Sequence, residues 1–301
     1  MSLLVTGSIG IDTVSTPFGQ ADAVLGGSSV YFAFAASQYV AVRLVAAVGA
    51  DFPPAFRDLL ESRDIDLRGL EVRPESKTFR WTGRFEGAMN EAETVAVDLN
   101  VLAEDAPPVP PEFTDSETVF LANTHPTLQR ALLGKLSGPK LVVCDTMNLW
   151  IETERESLLE TLRLVTGVII NDAEARALTG AVNLIEVGEA MLELGPEFVV
   201  IKKGEHGALL VTRDEPVAVP AYPTKAVRDP TGAGDSFAGG FLGYLSACGN
   251  HRGESLRSAL VRGTVAASFT IEDFSVDRVK DLAREEVDER VGRFLDMLRI
   301  E

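Results

Sequence analysis

The sequence predicts an α/β fold with a mostly parallel central sheet, helices on both faces and a small β-sheet lid. Three observations predict it. Short apolar runs alternate with helix-length segments over most of the chain, the pattern of a sheet buried on both faces. One stretch, about 77–101, changes to period two, as a sheet with one wetter face does. The chain has 301 residues, 46% hydrophobic and 24% charged, enough apolar material for a substantial core.

Taken in order, residues 3–9 read as a buried strand, 28–39 as a helix and 42–48 as a strand. Gly49 and the Pro53-Pro54 pair punctuate before a helix over about 54–62. Residues 77–86 and 93–101 alternate with period two around Gly87-Ala88-Met89-Asn90, which predicts two antiparallel strands. The lid is expected to take about 12–23 and 72–101, inserted in one body that spans 1–301. The proline-rich segment Glu104 to Pro111 reads as a loop back to that body. Strands follow at 117–122, 140–144, 167–170 and 198–202, with helices at 126–136, 152–164, 172–179 and 185–194. Residues 207–212 and 216–220 read as short strands beside a turn. Helices close the chain at about 233–247, 254–268 and 284–298.

The formal charge of −17 argues against nucleic acid as a partner, since no long Lys/Arg stripe offsets it. A small anion is still admissible where backbone N–H groups converge. Two cysteines, Cys144 and Cys248, make neither a disulfide scaffold nor a thiolate metal site. The opening Met1-Ser2-Leu3-Leu4-Val5 reads as a strand rather than a leader, and the apolar stretch 233–248 is short for a bilayer span and carries Asp235. The expectation is a cytoplasmic protein with no membrane partner.

The strongest local signal is Asp229-Pro230-Thr231-Gly232-Ala233-Gly234-Asp235-Ser236-Phe237-Ala238-Gly239-Gly240-Phe241. Pro230 bars a helix before it. Gly232 and Gly234 bracket Ala233, so the chain can turn tightly and present free N–H groups at a helix start. Asp235 opens that helix, where a carboxylate can take a proton from a hydroxyl whose attack builds charge against those N–H groups. It can equally be a first-turn acid favoured by the helix dipole. Each Gly costs about 1 kcal/mol in a helix relative to Ala, so the run of glycines weakens that second reading.

Asn171 and Glu174 sit three apart at a helix start and form either a capping box or an oxygen-ligand pair. Asp12 follows the first strand, where it can hold two sugar hydroxyls or simply make a turn. Phe79, Trp81 and Phe85 share strand parity and either cover a ligand or pack the lid, while Arg80 and Arg84 share the other parity. His125, His206 and His251 are scattered and read as surface or capping residues, and Cys144 as core.

The segment 229–241 resembles the C-terminal signature of the ribokinase-like, or PfkB-type, carbohydrate kinase family, with Pro230 in place of the usual Thr or Cys. Gly7-Ser8-Ile9-Gly10-Ile11-Asp12 resembles that family's opening strand, Leu25-Gly26-Gly27-Ser28 its diglycine and Asn171-Asp172-Ala173-Glu174 its N-x-x-E motif. Lys203-Gly204-Glu205-His206-Gly207-Ala208 resembles its strand–turn–strand near the nucleotide. The resemblance implies a ribokinase-like three-layer body and phosphoryl transfer from ATP to a small-molecule hydroxyl. In it Asp235 would be the base, and Gly232, Ala233 and Gly234 would give the N–H groups around the phosphoryl. Glu174 and Asn171 would organise Mg²⁺ through water, with Thr231, Lys203, Gly204 and Gly207 on the nucleotide. Asp12, Gly26, Gly27, Phe79 and Trp81 would meet the acceptor, as would Asn123, Asn148 and Trp150. A monovalent cation and a homodimer through the lid fit the same resemblance.

The sequence also departs from the pattern. Ser28-Ser29-Val30-Tyr31-Phe32 follows the diglycine where ribokinase-type enzymes often carry a Lys and an Asn. In the D-x-N-x-R slot, Asp145-Thr146-Met147-Asn148-Leu149-Trp150 has Asn148 one position late and Trp150 where a cation often stands. The reading is an ATP-dependent carbohydrate kinase acting on a sugar-like acceptor. A nucleoside kinase and a nonenzymatic sugar or nucleotide sensor are the alternatives.

Overall fold

Strand termini converge along one edge of the main sheet, and that edge organises everything functional. The computed structural model describes residues 2–299. The strands are β1 (Leu3–Thr6), β2 (Gly10–Thr16), β3 (Gly19–Gly26), β4 (Val42–Gly49), β5 (Ile65–Arg73), β6 (Phe79–Phe85) and β7 (Ala92–Asp98). They continue as β8 (Thr118–Leu121), β9 (Leu141–Cys144), β10 (Gly167–Asn171), β11 (Phe198–Lys202), β12 (Ala208–Thr212) and β13 (Val217–Val219). The helices are α1 (Ser28–Ala36), α2 (Pro54–Glu61), α3 (Pro126–Leu133), α4 (Asn148–Thr153) and α5 (Arg155–Leu162). They end with α6 (Asp172–Thr179), α7 (Leu184–Leu192), α8 (Ala233–Cys248), α9 (Glu254–Thr270) and α10 (Arg284–Leu298).

Nine strands form the main sheet in the order β13-β12-β11-β10-β9-β8-β1-β4-β5. From β11 to β5 every neighbour is parallel, and β12 and β13 add an antiparallel edge. The order runs outward from β1 in both directions, so a crevice opens at the strands' carboxyl ends there. One apolar cluster joins the sheet to α1, α8, α9 and α10, and a second joins it to α3, α5, α6 and α7. This is the α/β layering that the buried strand runs predict.

The second sheet has four strands, β3-β2-β6-β7, with β2 and β6 parallel and both outer pairs antiparallel. Residues 10–16 and 19–26 thus make a hairpin of their own. Three boundaries differ from the sequence reading. Residues 65–73 form β5, a main-sheet strand absent from that reading. The first strand ends at Thr6, because Gly10 already pairs in the other sheet. The helix expected over 152–164 is two helices broken at Glu154, whose ψ of 31° leaves the helical region.

Close glycine contacts lock α8 in place. A Cβ at Gly239 would lie 2.3 Å from the Phe32 carbonyl oxygen of α1, and one at Gly240 would lie 2.6 Å from Ala266 of α9. The two glycines therefore let two helices approach α8 at once, as their pairing in the sequence predicts.

Candidate active site

The turn before α8 is built by its own backbone. Asp229 Oδ1 accepts the Thr231 N–H at 2.9 Å, and the Pro230 carbonyl accepts the Ala233 N–H at 3.1 Å. Gly232 then adopts φ 74°, a left-handed conformation that glycine takes without strain. A Cβ there would also lie 2.2 Å from the Tyr31 ring, so the position is closed to any side chain. The N–H groups of Gly232, Gly234 and Asp235 have no backbone partner among the described residues. This corrects one expectation: the Ala233 N–H is spent inside the turn, and the Asp235 N–H takes its place in the free set.

Four further groups meet at this turn. Asp145 follows β9, Asn171 ends β10 and Lys202 ends β11, with Asn171 and Lys202 in register. Asn171 accepts the Glu174 N–H at 2.8 Å while Glu174 Oε2 accepts the Asn171 N–H at 3.1 Å. The capping box is thus complete, and it fixes the Glu174 carboxylate at the mouth of α6. Lys202 Nζ lies 3.5 Å from Asp145 Oδ2, and a Cβ on Gly234 would come within 2.8 Å of that same ammonium. Lys202 was absent from the sequence reading, which chose its neighbour Lys203. The Lys203 N–H instead closes the β11–β12 turn on the Gly207 carbonyl at 2.8 Å. Gly204 and Gly207 hold positive φ in that turn, and Gly204 touches Asn90 of the lid, whose amide donates to Glu205 at 3.1 Å.

On the acceptor side, Asp12 lies on β2, 3% exposed, with Gly26 so close that a Cβ there would strike its carboxylate. Trp81 is the register partner of Asp12 and faces the same way. It also packs against the small cluster of Val14, Phe85 and Met89, on which Val227 and Phe274 of the body pack as well. Phe79 is half-buried against Gly10. Gly27 has φ 103°, and a Cβ there would meet the Ser8 carbonyl oxygen at 2.5 Å. Arg80 is bound to Asp51 at 2.8 Å and Arg84 to Glu93 at 2.6 Å.

The 145–150 segment behaves differently from its motif slot. Asn148 opens α4 and is exposed. Trp150 Nε1 donates to Asn123 Oδ1 at 2.9 Å, and its ring lies 5.0 Å from that of His125. The Trp150 ring is thus held by the 123–125 segment of the main body, whereas Trp81 lies on β6 of the smaller sheet. His125 caps α3, accepting the Thr127 N–H at 3.2 Å, which is the capping role its position predicts.

Charge is concentrated in a largely buried cluster. Burial and then the Asp145 charge push the Asp235 carboxyl up to about 8. Burial and the Asp229 charge push Asp12 up to about 7, and burial with Asp145 pushes Glu174 to about 7. Burial alone would discharge Lys202, but Asp145, Glu174 and Asp235 outweigh it and hold the ammonium above its ordinary range. These three raised carboxyls bind protons in the folded state that the unfolded chain has already released above about pH 4. Stability without ligand should therefore fall as pH rises from about 5 to about 8. Melting curves across that window should drop by roughly 5 °C, and Asp235→Asn should flatten the slope. A melting point that rises with pH, or an unchanged slope in the variant, would refute this.

The pfkB family carbohydrate kinase pattern matches residues 19–281. The chain belongs to the PfkB family. A cytidine kinase of Thermococcus kodakarensis is 32% identical over 253 residues, covering 81% of this PfkB protein and 88% of the relative. A nucleoside kinase of Methanothermobacter thermautotrophicus is 27% identical over 236 residues, with 76% and 72% covered. The Burkholderia thailandensis nucleoside kinase solved with inosine shares the fold, with a TM-score of 0.80 at 20% identity over 98% of each chain. This PfkB protein is thus a phosphotransferase with the family's two-sheet architecture. No helix among its described residues is long and apolar enough to cross a membrane.

Proposed function

We propose that this PfkB kinase transfers the γ-phosphoryl of ATP to a primary hydroxyl of a nucleoside. The observation that carries the reading is the meeting of Asp235, the free N–H groups of Gly232 and Gly234, and Lys202, with Asp12 near enough for its charge to act on Asp235. Asp235 takes the acceptor's hydroxyl proton as the oxygen bonds to phosphorus, and the bond from phosphorus to the β,γ-bridging oxygen breaks to release ADP. The free N–H groups and the Lys202 ammonium face the charge that builds on the transferred phosphoryl. Asp12 accepts hydrogen bonds from the ribose hydroxyls, and Trp81 beside it offers a flat apolar surface.

Mg²⁺ would supply positive charge on the phosphates. Among the described residues no three His, Cys, Asp or Glu converge to hold a metal, so the ion would rest on phosphate oxygens and waters. The Glu174 oxygen not used by the cap, and Asp145, are the donors that fit it. Asp229 Oδ2 is buried without a partner and is the oxygen that suits a monovalent cation beside the turn. Self-association through the lid would cover β7, exposed along its whole length with Val95 and Val97 outward.

The nucleoside is preferred over a free sugar because the relatives that cover most of the chain are named cytidine and nucleoside kinases. A sugar is the second reading, since ribokinases match about a third of the chain. ADP release from Mg-ATP, measured against cytidine, inosine, uridine, ribose and sugar acids, separates the readings. Nucleoside-dependent release that Asp235→Asn abolishes supports the first. Release with ribose alone supports the second. A silent panel with intact ATP binding returns the protein to a sensor.

A further inference from the structure

Four buried polar atoms around the start of α8 have no partner among the described residues; Asp229 Oδ2 and Thr231 Oγ1 belong to the turn itself, and two come from other elements. One is the hydroxyl of Tyr31, on α1 and 1% exposed; the other is Asp12 Oδ1, on β2 and 3% exposed. The Tyr31 ring lies against Gly232, the first residue of the free N–H set, so its position is fixed by the catalytic turn itself. The charges that act on its hydroxyl are those of Asp12, Asp229 and Asp235, yet it bonds to none of them. Burying a hydroxyl without a partner costs about 1–3 kcal/mol, and phenylalanine would fill the same space without that cost. An unpartnered donor and an unpartnered acceptor whose charges reach each other are complementary to a group that both accepts and donates. A hydroxyl is such a group.

We propose that Tyr31 is an acceptor-specificity residue: its hydroxyl donates to one hydroxyl of the acceptor, and that same hydroxyl donates to Asp12 Oδ1. The inference rests on the kinase reading for the identity of the ligand, and on the two unpartnered atoms for the contact. No bond is made or broken in it. An acceptor lacking that hydroxyl would leave both atoms buried and unpaired. Sites built around such bonds reject the analogue by far more than a lost methylene would.

The test uses the full-length protein and Tyr31→Phe, with cytidine and its 2′-deoxy and 3′-deoxy analogues as probes beside Mg-ATP. Wild type should discriminate strongly against one of the two deoxy analogues. Tyr31→Phe should raise KM for cytidine about tenfold, the size of one lost hydrogen bond, with KM for ATP unchanged. It should also relax the ratio of kcat/KM between cytidine and the rejected analogue by a similar factor. An unchanged cytidine KM, or equal discrimination in both proteins, overturns the proposal. Melting of the ligand-free proteins is read in parallel. Tyr31→Phe should melt at or above wild type, because an unpaired hydroxyl has been removed. A melting point lower by several degrees shows a structural partner for the hydroxyl and overturns the proposal without any substrate. Absence of ADP release with cytidine and ribose in wild type would reject the acceptor class alone, and the melting comparison would then decide for or against the free hydroxyl.

Discussion

Asp235→Asn should lower kcat by about 10³-fold while leaving the ATP dissociation constant within about threefold, since a positioned base contributes some 10²–10⁴. The substitution keeps size and shape but removes the negative charge and the proton affinity, and turns one acceptor oxygen into a donor. The pH dependence sharpens the test. The wild-type carboxyl is pushed up to about 8 by burial and its acidic neighbours, and a base must be ionised to act. So kcat/KM of the wild type should climb through about pH 8 and level off above it, and the residual rate of Asp235→Asn should lack that limb. The thermal readout runs the other way. Above pH 7 the variant no longer has to bury an ionised carboxylate, so it should melt higher than wild type. A merely dipole-favoured first-turn acid gives the opposite pair of results: activity within tenfold and a lower melting point. Steady-state assays and melts of the two proteins over pH 6–9 settle the choice.

How much of this site is legible in the sequence depends on whether the geometry is local. The 229–241 segment is legible because its chemistry is set by its own backbone: a proline, a left-handed glycine and a helix start fall within a few residues. Even there the sharing of N–H groups is not, since the Ala233 bond to Pro230 is a detail of turn geometry. The Asn171–Glu174 box is legible for the same local reason. Lys202 is not, because a buried parallel strand hides its parity; both faces are covered, so period two carries no signal. The available clue was its place as the last residue of an apolar strand, where side chains reach the crevice. Tyr31 is hidden by a helix buried on every side, which gives no stripe to single out one residue. Asn148 sits one position late in its motif slot, and it opens α4 with its side chain exposed. Strand β5 reads Ile65-Asp66-Leu67-Arg68, an alternation visible in the sequence to which the reading assigns no element.

Lys202→Met should cost about 10²–10³ in kcat, the range for removing one group that stabilises developing charge in a closed site. The ammonium lies beside Gly234 and 3.5 Å from Asp145. In the proposed reading it takes the place of the cation that the 145–150 segment lacks, arriving from a different strand. The obvious objection is folding. Removing one member of a buried pair leaves an uncompensated charge and destabilises by about 3–5 kcal/mol. Lys202→Met combined with Asp145→Asn removes charge from both partners and keeps the pair neutral, so the double variant should fold. Asp145 is also a proposed Mg²⁺ donor, so the double variant is compared with Asp145→Asn alone. If Lys202 serves only to neutralise Asp145, the two turn over at the same rate. If it faces the phosphoryl, the double variant turns over far more slowly than Asp145→Asn and binds ATP more weakly relative to ADP, because the γ-phosphoryl has lost its cation. A second signature is independent of rate. Lys202 is the one group among its neighbours that favours ionisation of Asp235. Single Lys202→Met should therefore move the rising limb of the kcat/KM profile to higher pH, whereas the double variant, which also loses the opposing Asp145 charge, should bring it back toward the wild-type position. A limb that stays fixed in the single variant, together with a kcat in the double equal to that of Asp145→Asn alone, would reduce Lys202 to a structural counter-ion.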